Sequence, residues 1–303
     1  MKILCGIDLG GTKIEGVLLT LSDKGFDVLE RHRIPTEAEK GYEHILQQIK
    51  KIVGHLEEKG SIKIDTLGIG TPGTLDPHTQ TLKNCNAVCL NRQPFKKDLE
   101  KVLGIPIEIA NDANCFALAE ATLGAVPEKV PHAQVVFGII MGTGVGGGIV
   151  INGKVLQGKH GIGGEWGHNF LHESGGPCYC GQIGCVETII SGTGLEKFYF
   201  QQTGTKRNLK EILERFKVGN DPIAKKTMER LIHYFGKGIA SIINVLDPDA
   251  IVIGGGVGNI DLLYKEGVES AKNYIFNTSI DTVFLKPKLG DSAGVFGAAM
   301  LVN

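Results

Sequence analysis

No run of apolar residues approaches the roughly 20 that span a bilayer. Neither sign of charge prevails: 32 Lys and Arg face 33 Asp and Glu, a formal net charge of −1. The basic residues are scattered rather than clustered, so neither nucleic acid nor an anionic membrane is expected as a partner. The opening MKILCGIDLGGTK reaches Asp8 and the Gly10-Gly11 pair too soon for a secretory leader. A reducing cytoplasm is the expected compartment, where cysteines serve as thiols or metal ligands rather than in disulfides. Long linkers, low-complexity segments and any C-x-x-C are also missing, which leaves redox chemistry little support. What the chain has in quantity is glycine, 43 in 303 residues. The glycines cluster at 10–11, 142–148, 161–167, 175–184 and 254–258, a pattern that suggests tight loops around a ligand.

Residues 3–8 and 14–19 read as strands around the turn Leu9-Gly10-Gly11-Thr12-Lys13, and 26–33 as a third strand. Ile45, Ile49, Ile52, Val53 and Leu56 recur with helical spacing between Gly41 and Glu58, and Gly60 ends that segment. A strand at 66–70, a helix at 95–103, a strand at 105–110 and a helix at 112–123 follow. The pattern then restarts: strands at 134–141 and 148–151 flank Gly142-Thr143-Gly144-Val145-Gly146-Gly147. GIDLGGTKIEGVLL and GIIMGTGVGGGIVI are one device used twice, which points to a duplicated α/β domain rather than a solenoid. Helices at 193–202, 208–216 and 222–245 precede a strand at 250–253 that runs into Gly254-Gly255-Gly256. A helix near 261–276, a strand at 282–286 and a last helix at 293–301 complete the chain. The expectation is two α/β lobes with a cleft between them. Residues 1–120 joined by 290–303 form the smaller lobe, and 121–289 the larger.

The chemistry concentrates at five places. Asp8-Leu9-Gly10-Gly11-Thr12-Lys13 offers open backbone N–H groups with a hydroxyl, an ammonium and a carboxylate; such turns form anion nests, and Asp8 can hold Mg²⁺ through water. It is neither a P-loop nor a Rossmann turn, because a strand follows it. Five glycines in the seven positions 142–148 exceed what a hairpin needs, so the two turns together are read as the grips of a polyphosphate. Asn111-Asp112-Ala113-Asn114 follows a strand directly. Helix capping explains it simply, yet the carboxyl end of a strand is also where α/β folds bind ligands. Asp112 there could take a proton from an attacking hydroxyl. Cys178, Cys180 and Cys185 fall within eight residues. With one imidazole they make a Cys₃His set of the closed, structural zinc type, for which His168 is the best fourth ligand and His160 and His172 compete. Glu165 and Glu187 flank that set as candidates for sugar hydroxyls. Gly254-Gly255-Gly256 is either a plain strand-to-helix loop or a place for close approach of a nucleoside.

Together these motifs resemble the ROK family of sugar kinases, over essentially the whole chain. The resemblance implies an actin/hexokinase-like, duplicated ribonuclease H-like α/β fold and ATP-dependent phosphorylation of a hexose 6-hydroxyl. It implies Asp112 as the base, with Asn86, Asn111, Asp112, Glu165, His168 and Glu187 on the sugar. ATP phosphates with Mg²⁺ would fall to Gly6, Asp8, Gly10, Gly11, Thr12 and Lys13, and to Gly142, Thr143, Gly144, Val145, Gly146, Gly147 and Gly148. Gly254, Gly255 and Gly256 would lie near the nucleoside, while His168, Cys178, Cys180 and Cys185 bind structural Zn²⁺. The flanks Lys83–Asn86, Leu90–Phe95, Glu165–Asn169, Pro177–Gly181 and Ile190–Gly194 are most similar to fructokinases that also accept mannose. N-acetylglucosamine kinases and glucokinases share the catalytic motifs but less of these flanks. Arg92 stands where that resemblance calls for glycine. A homodimer is the expected assembly.

Overall fold

Short, almost continuously buried strands build the centre of the first sheet of the computed structural model, which describes residues 2–22 and 25–303. Strands β1 (Lys2–Leu9) and β2 (Lys13–Ser22) pair antiparallel from Lys2 opposite Leu21 to Leu9 opposite Ile14. The neighbouring β3 (Gly25–Pro35) runs antiparallel to β2. On the other side β4 (Leu67–Thr71) lies parallel to β1. A two-stranded hairpin of β5 (Thr74–Leu75) and β6 (Leu82–Lys83) follows, and β7 (Ile107–Asn111) completes the order β3-β2-β1-β4-β7. Helix α1 (Tyr42–Gly60) covers one face, where Ile45, Ile49, Ile52 and Leu56 bury against Ile7, Leu9, Ile14 and Leu18. Helices α2 (Phe95–Leu103), α3 (Asp112–Thr122) and α4 (Ala125–Lys129) belong to the same unit.

The second sheet has the order β10-β9-β8-β11-β12: β8 (Val135–Met141), β9 (Val145–Ile151), β10 (Lys154–Val155), β11 (Ala250–Gly254) and β12 (Val283–Leu285). Strands β8, β11 and β12 are parallel. The helices of this unit are α5 (Val186–Ile190), α6 (Gly192–Thr203), α7 (Leu209–Val218), α8 (Pro222–Leu246), α9 (Gly255–Gly258) and α10 (Glu266–Ala271). The helix expected near 261–276 is shorter, a 3-10 turn at Asp261–Tyr264 followed by α10. Asp221 caps α8 by accepting from the N–H groups of Ile223 and Ala224, both at 2.9 Å. Its other oxygen takes the Tyr199 hydroxyl at 2.6 Å and Arg215 Nε at 2.7 Å, which ties α6 and α7 to that cap. Among the described residues no helix is long and apolar enough to cross a membrane.

Two compact units result. The first takes the chain up to His132, then Gly148–Gly164 and Lys288–Asn303; the second takes Ala133–Gly147 and Glu165–Pro287. The break falls at His132 rather than at 120, and Gly148–Gly164 returns to the first unit. Glu120 is the physical reason for the first difference. Its side chain is fully buried, and it accepts the N–H groups of Ala125 and Leu289 at 2.8 Å and of Lys288 at 3.0 Å. One buried carboxylate thus binds both the residues after α3 and the C-terminal segment, which carries the last helix, α11 (Ala293–Met300). Gln157 Nε2 likewise donates to Ile109 O at 3.2 Å.

Candidate active site

The first glycine turn is a closed hairpin with an open crest. The Gly10 N–H donates to Lys13 O at 2.9 Å and so is unavailable to a phosphate. From the end of β3, Thr36 donates its N–H to Thr12 O at 3.0 Å and its hydroxyl to Gly10 O at 2.7 Å. Gly11, Thr12 and Lys13 remain exposed, and among the described residues the N–H groups of Gly11 and Thr12 have no acceptor. This crest is where an anion can be received. Gly6, expected in the phosphate set, is a packing position instead. A Cβ there would lie 2.5 Å from Val295 O and collide with Ala299, so glycine lets α11 rest on the sheet.

Asp8 and Asp112 stand at the carboxyl ends of β1 and β7. The strand between them, β4, places Gly70 beside both Asp8 and Ala110. Burial, then the Asp112 charge, then Glu15, raise Asp8 to about 6, against the pull of Lys13 and Arg33. Asp112 is raised too, chiefly by burial, and the Ala113 N–H and Asn111 amide oppose the rise. Asn111 is the N-cap of α3: its Oδ1 and Asp112 Oδ1 accept the same Ala113 N–H, at 2.9 and 2.8 Å. Both side chains therefore take part in capping α3. The charge of Asp112 also reaches the Cys85 thiol, next to the exposed Asn86. Asn91 clamps that loop through Cys85 N at 2.9 Å and Cys85 O at 3.0 Å. Arg92 has φ 65°, the left-handed region glycine favours, which explains why glycine suits this position better.

The second glycine turn is shorter than its sequence suggested. Only Gly142, Thr143 and Gly144 form it; Val145 to Gly148 are strand residues of β9. A Cβ on Gly148 would lie 2.7 Å from Ala113 O, so that glycine serves close packing on α3. The turn is also locked by Glu187, whose Oε2 accepts the Val145 N–H at 2.9 Å. Any side chain at Gly144 would collide with the same carboxylate. Val145 therefore has neither a free N–H nor an exposed side chain to offer. The N–H groups of Thr143 and Gly144 have no acceptor among the described residues. Gly192, at the start of α6, donates to Gly142 O at 2.8 Å. Beside it lies a cavity of about 540 Å³ lined by Thr193, Lys197, Phe200, Arg207 and Asn208 among others. The Arg207 Nε is buried there without a partner among the described residues. Gly254 ends β11, Gly255 (φ 82°) is required by contact with Met141, and only Gly256 is open.

The cysteine loop gathers the four expected donors. The ligand atoms of His168, Cys178, Cys180 and Cys185 all lie within 4.8 Å of one another. His160, one competitor, lies in the first unit with its ring tilted at 47° to that of His78, 5.6 Å away, and His172 caps a short 3-10 turn through the Ser174 N–H. Cys180 Sγ is 3.6 Å from Cys185 Sγ, and Cys178 Sγ is 3.6 Å from His168 Nδ1. Ligands at zinc bond lengths on a tetrahedron sit about 3.5–3.8 Å apart, so the donor set fits that ion. Trp166, buried edge-on to Phe137 at 6.0 Å, donates its Nε1–H to Gly238 O at 3.2 Å and anchors the Glu165–His168 segment on α8. The other imidazole nitrogen, expected to face sugar, instead meets the Tyr179 hydroxyl: His168 Nε2 is 3.0 Å from it. Partial desolvation of its hydroxyl, then the charges of Glu187 and Glu165, push the Tyr179 pKa up, although most of the side chain is exposed. This tyrosine stands between two of the metal-ligand candidates, in Cys178-Tyr179-Cys180, and that spacing is its signal in the sequence. Cys5, Cys85 and Cys115 are buried free thiols and Cys89 is half-buried.

The ROK family model matches residues 4–303, and the chain belongs to that family. An N-acetyl-D-glucosamine kinase of Pasteurella multocida is 36% identical, with 98% of each chain covered. Among solved structures, the ROK hexokinase of Thermus thermophilus superposes with a TM-score of 0.87 at 31% identity, covering 99% of this chain and 97% of that one. A ROK glucokinase of Streptomyces griseus in complex with glucose and AMPPNP gives 0.75 at 28% identity, with 99% of both chains covered. The fold is accordingly the hexokinase-like α/β fold of this family.

Proposed function

We propose that the protein is an ATP-dependent sugar kinase that moves the γ-phosphoryl group of ATP to the 6-hydroxyl of a hexose. The observation that carries this is the pair Asp8 and Asp112 at the ends of the two strands that flank β4, beside an open glycine crest. Asp112 accepts the proton of the attacking hydroxyl as the new P–O bond forms and ADP leaves. Asp8 and the crest hold Mg²⁺ and phosphate oxygens, because phosphoryl transfer needs positioning and charge neutralisation above all. The cavity beside α6 is the natural place for the nucleoside, since Gly192 links it directly to the second turn. Asn86, Asn111, Glu165 and Glu187 are assigned to the sugar. His168, Cys178, Cys180 and Cys185 would hold zinc in a closed shell that fixes the loop.

N-acetylglucosamine is the sugar best supported, because curated relatives matching nearly the full chain bear that activity in their names. Fructose or mannose is the second reading. It rests on the short flanks Lys83–Asn86, Leu90–Phe95, Glu165–Asn169, Pro177–Gly181 and Ile190–Gly194. A kcat/KM panel over N-acetylglucosamine, glucose, mannose and fructose with MgATP decides between them. Turnover with none of the four would sink the kinase assignment.

A further inference from the structure

The register of the first hairpin sets Asp8, Glu15 and Arg33 on one rung, with Asp8 opposite Glu15 and Glu15 opposite Arg33. Lys13 and Arg31 lie two residues from members of that rung, so all five side chains share one face of the sheet. Glu15, only 1% exposed, accepts Arg33 Nε at 2.7 Å and Arg31 Nε, and has Lys13 Nζ at 4.0 Å. A single carboxylate is neutralised by a single cation, and here three surround it. Arg33 engages Glu15 through Nε alone; among the described residues its terminal amino groups have no partner, and its side chain is 44% exposed. Its charge reaches Asp8. Three residues on, Thr36 bonds Gly10 and Thr12, so Arg33 is fixed relative to the crest of the turn.

We propose that Arg33, oriented by Glu15, is a phosphate-binding residue whose terminal N–H groups take an oxygen of the phosphoryl chain received at Gly11–Lys13. This rests on the kinase reading and extends its phosphate site to β3. A guanidinium fork held by one edge presents its other donors in fixed geometry, which an ammonium cannot do. Arg31 is the internal control. It binds the same carboxylate but lies on the rung of Gly6 and Val17, two residues farther from Asp8.

The test compares Arg33→Gln, Arg33→Lys and Arg31→Gln with the full-length protein, reading MgADP affinity by calorimetry, KM for MgATP and for sugar, and melting temperature. Arg33→Gln should weaken MgADP and raise KM for MgATP by about tenfold with sugar KM nearly unchanged, and Arg33→Lys should fall between. Arg31→Gln should lower melting temperature with nucleotide affinity intact. Equal nucleotide losses in Arg31→Gln and Arg33→Gln, or wild-type MgADP affinity in Arg33→Gln, would overturn the proposal. Should Arg33→Gln not fold, wild-type nucleotide constants in Arg33→Lys would do so. Because MgADP binding needs no sugar, a protein that binds it yet phosphorylates no hexose defeats the kinase reading and leaves Arg33 standing.

Discussion

The two glycine turns look alike in sequence and are built in opposite ways. The first is held by backbone and by Thr36, with its chemistry carried on strand ends: Asp8 on β1, Asp112 just past β7. The second is held by side chains from a distant loop, Glu187 on the Val145 N–H, in a segment that also carries the four metal-ligand candidates. Strand ends are stiff because a sheet positions them, whereas loop groups need their own fastenings. The first turn should therefore tolerate loss of the cysteine loop, and the second should not tolerate disturbance of its lock.

The largest expected effect comes from Gly144→Ala. Its methyl group would displace the Glu187 carboxylate, and kcat/KM for MgATP should fall about 100-fold. A near-wild-type value would show that the lock is dispensable. Next is Cys180→Ser, which should lose zinc by metal analysis and weaken sugar affinity about 10–100-fold while MgADP binding at the first turn survives. Normal sugar KM in the zinc-free variant would confine the loop to a purely structural role.

The strand-borne chemistry was largely legible from residue order. Two short apolar segments around the Gly10-Gly11 pair, and an Asp-Asn cluster after a strand, suffice to locate β1, β2, the crest and Asp112. The lock was not. Glu187 is 42 positions from Val145, and nothing local announces that they meet. Glycine density likewise misled at 146–148, where the residues are strand and Gly148 is needed for helix packing. Gly6 misled for the same reason. Glu15 carried a readable signal, an acid inside an otherwise apolar strand, whose partners Arg31 and Arg33 only the register of β3 supplies.

Acidity offers a finer comparison. With Asp8 raised to about 6, kcat/KM for MgATP should decline as pH falls through that value, about tenfold per unit below it. Asp8 binds its proton more tightly when folded, so its share of stability is greatest below about 3.9 and is lost as pH rises towards 6. A flat profile between pH 5 and 7 would contradict this placement. The smallest effect is at Arg92. Relieving its left-handed backbone with Arg92→Gly should stabilise the protein by about 1 kcal/mol in denaturant melts, and a loss of stability would show that the side chain earns its place.

The central claim is that Asp112 takes the proton from the sugar. Its most direct test is single-turnover phosphate transfer by Asp112→Asn, with sugar binding measured alongside by calorimetry. Sugar affinity should stay close to wild type and transfer should slow by about 100-fold or more; transfer at the wild-type rate would show that another group takes the proton.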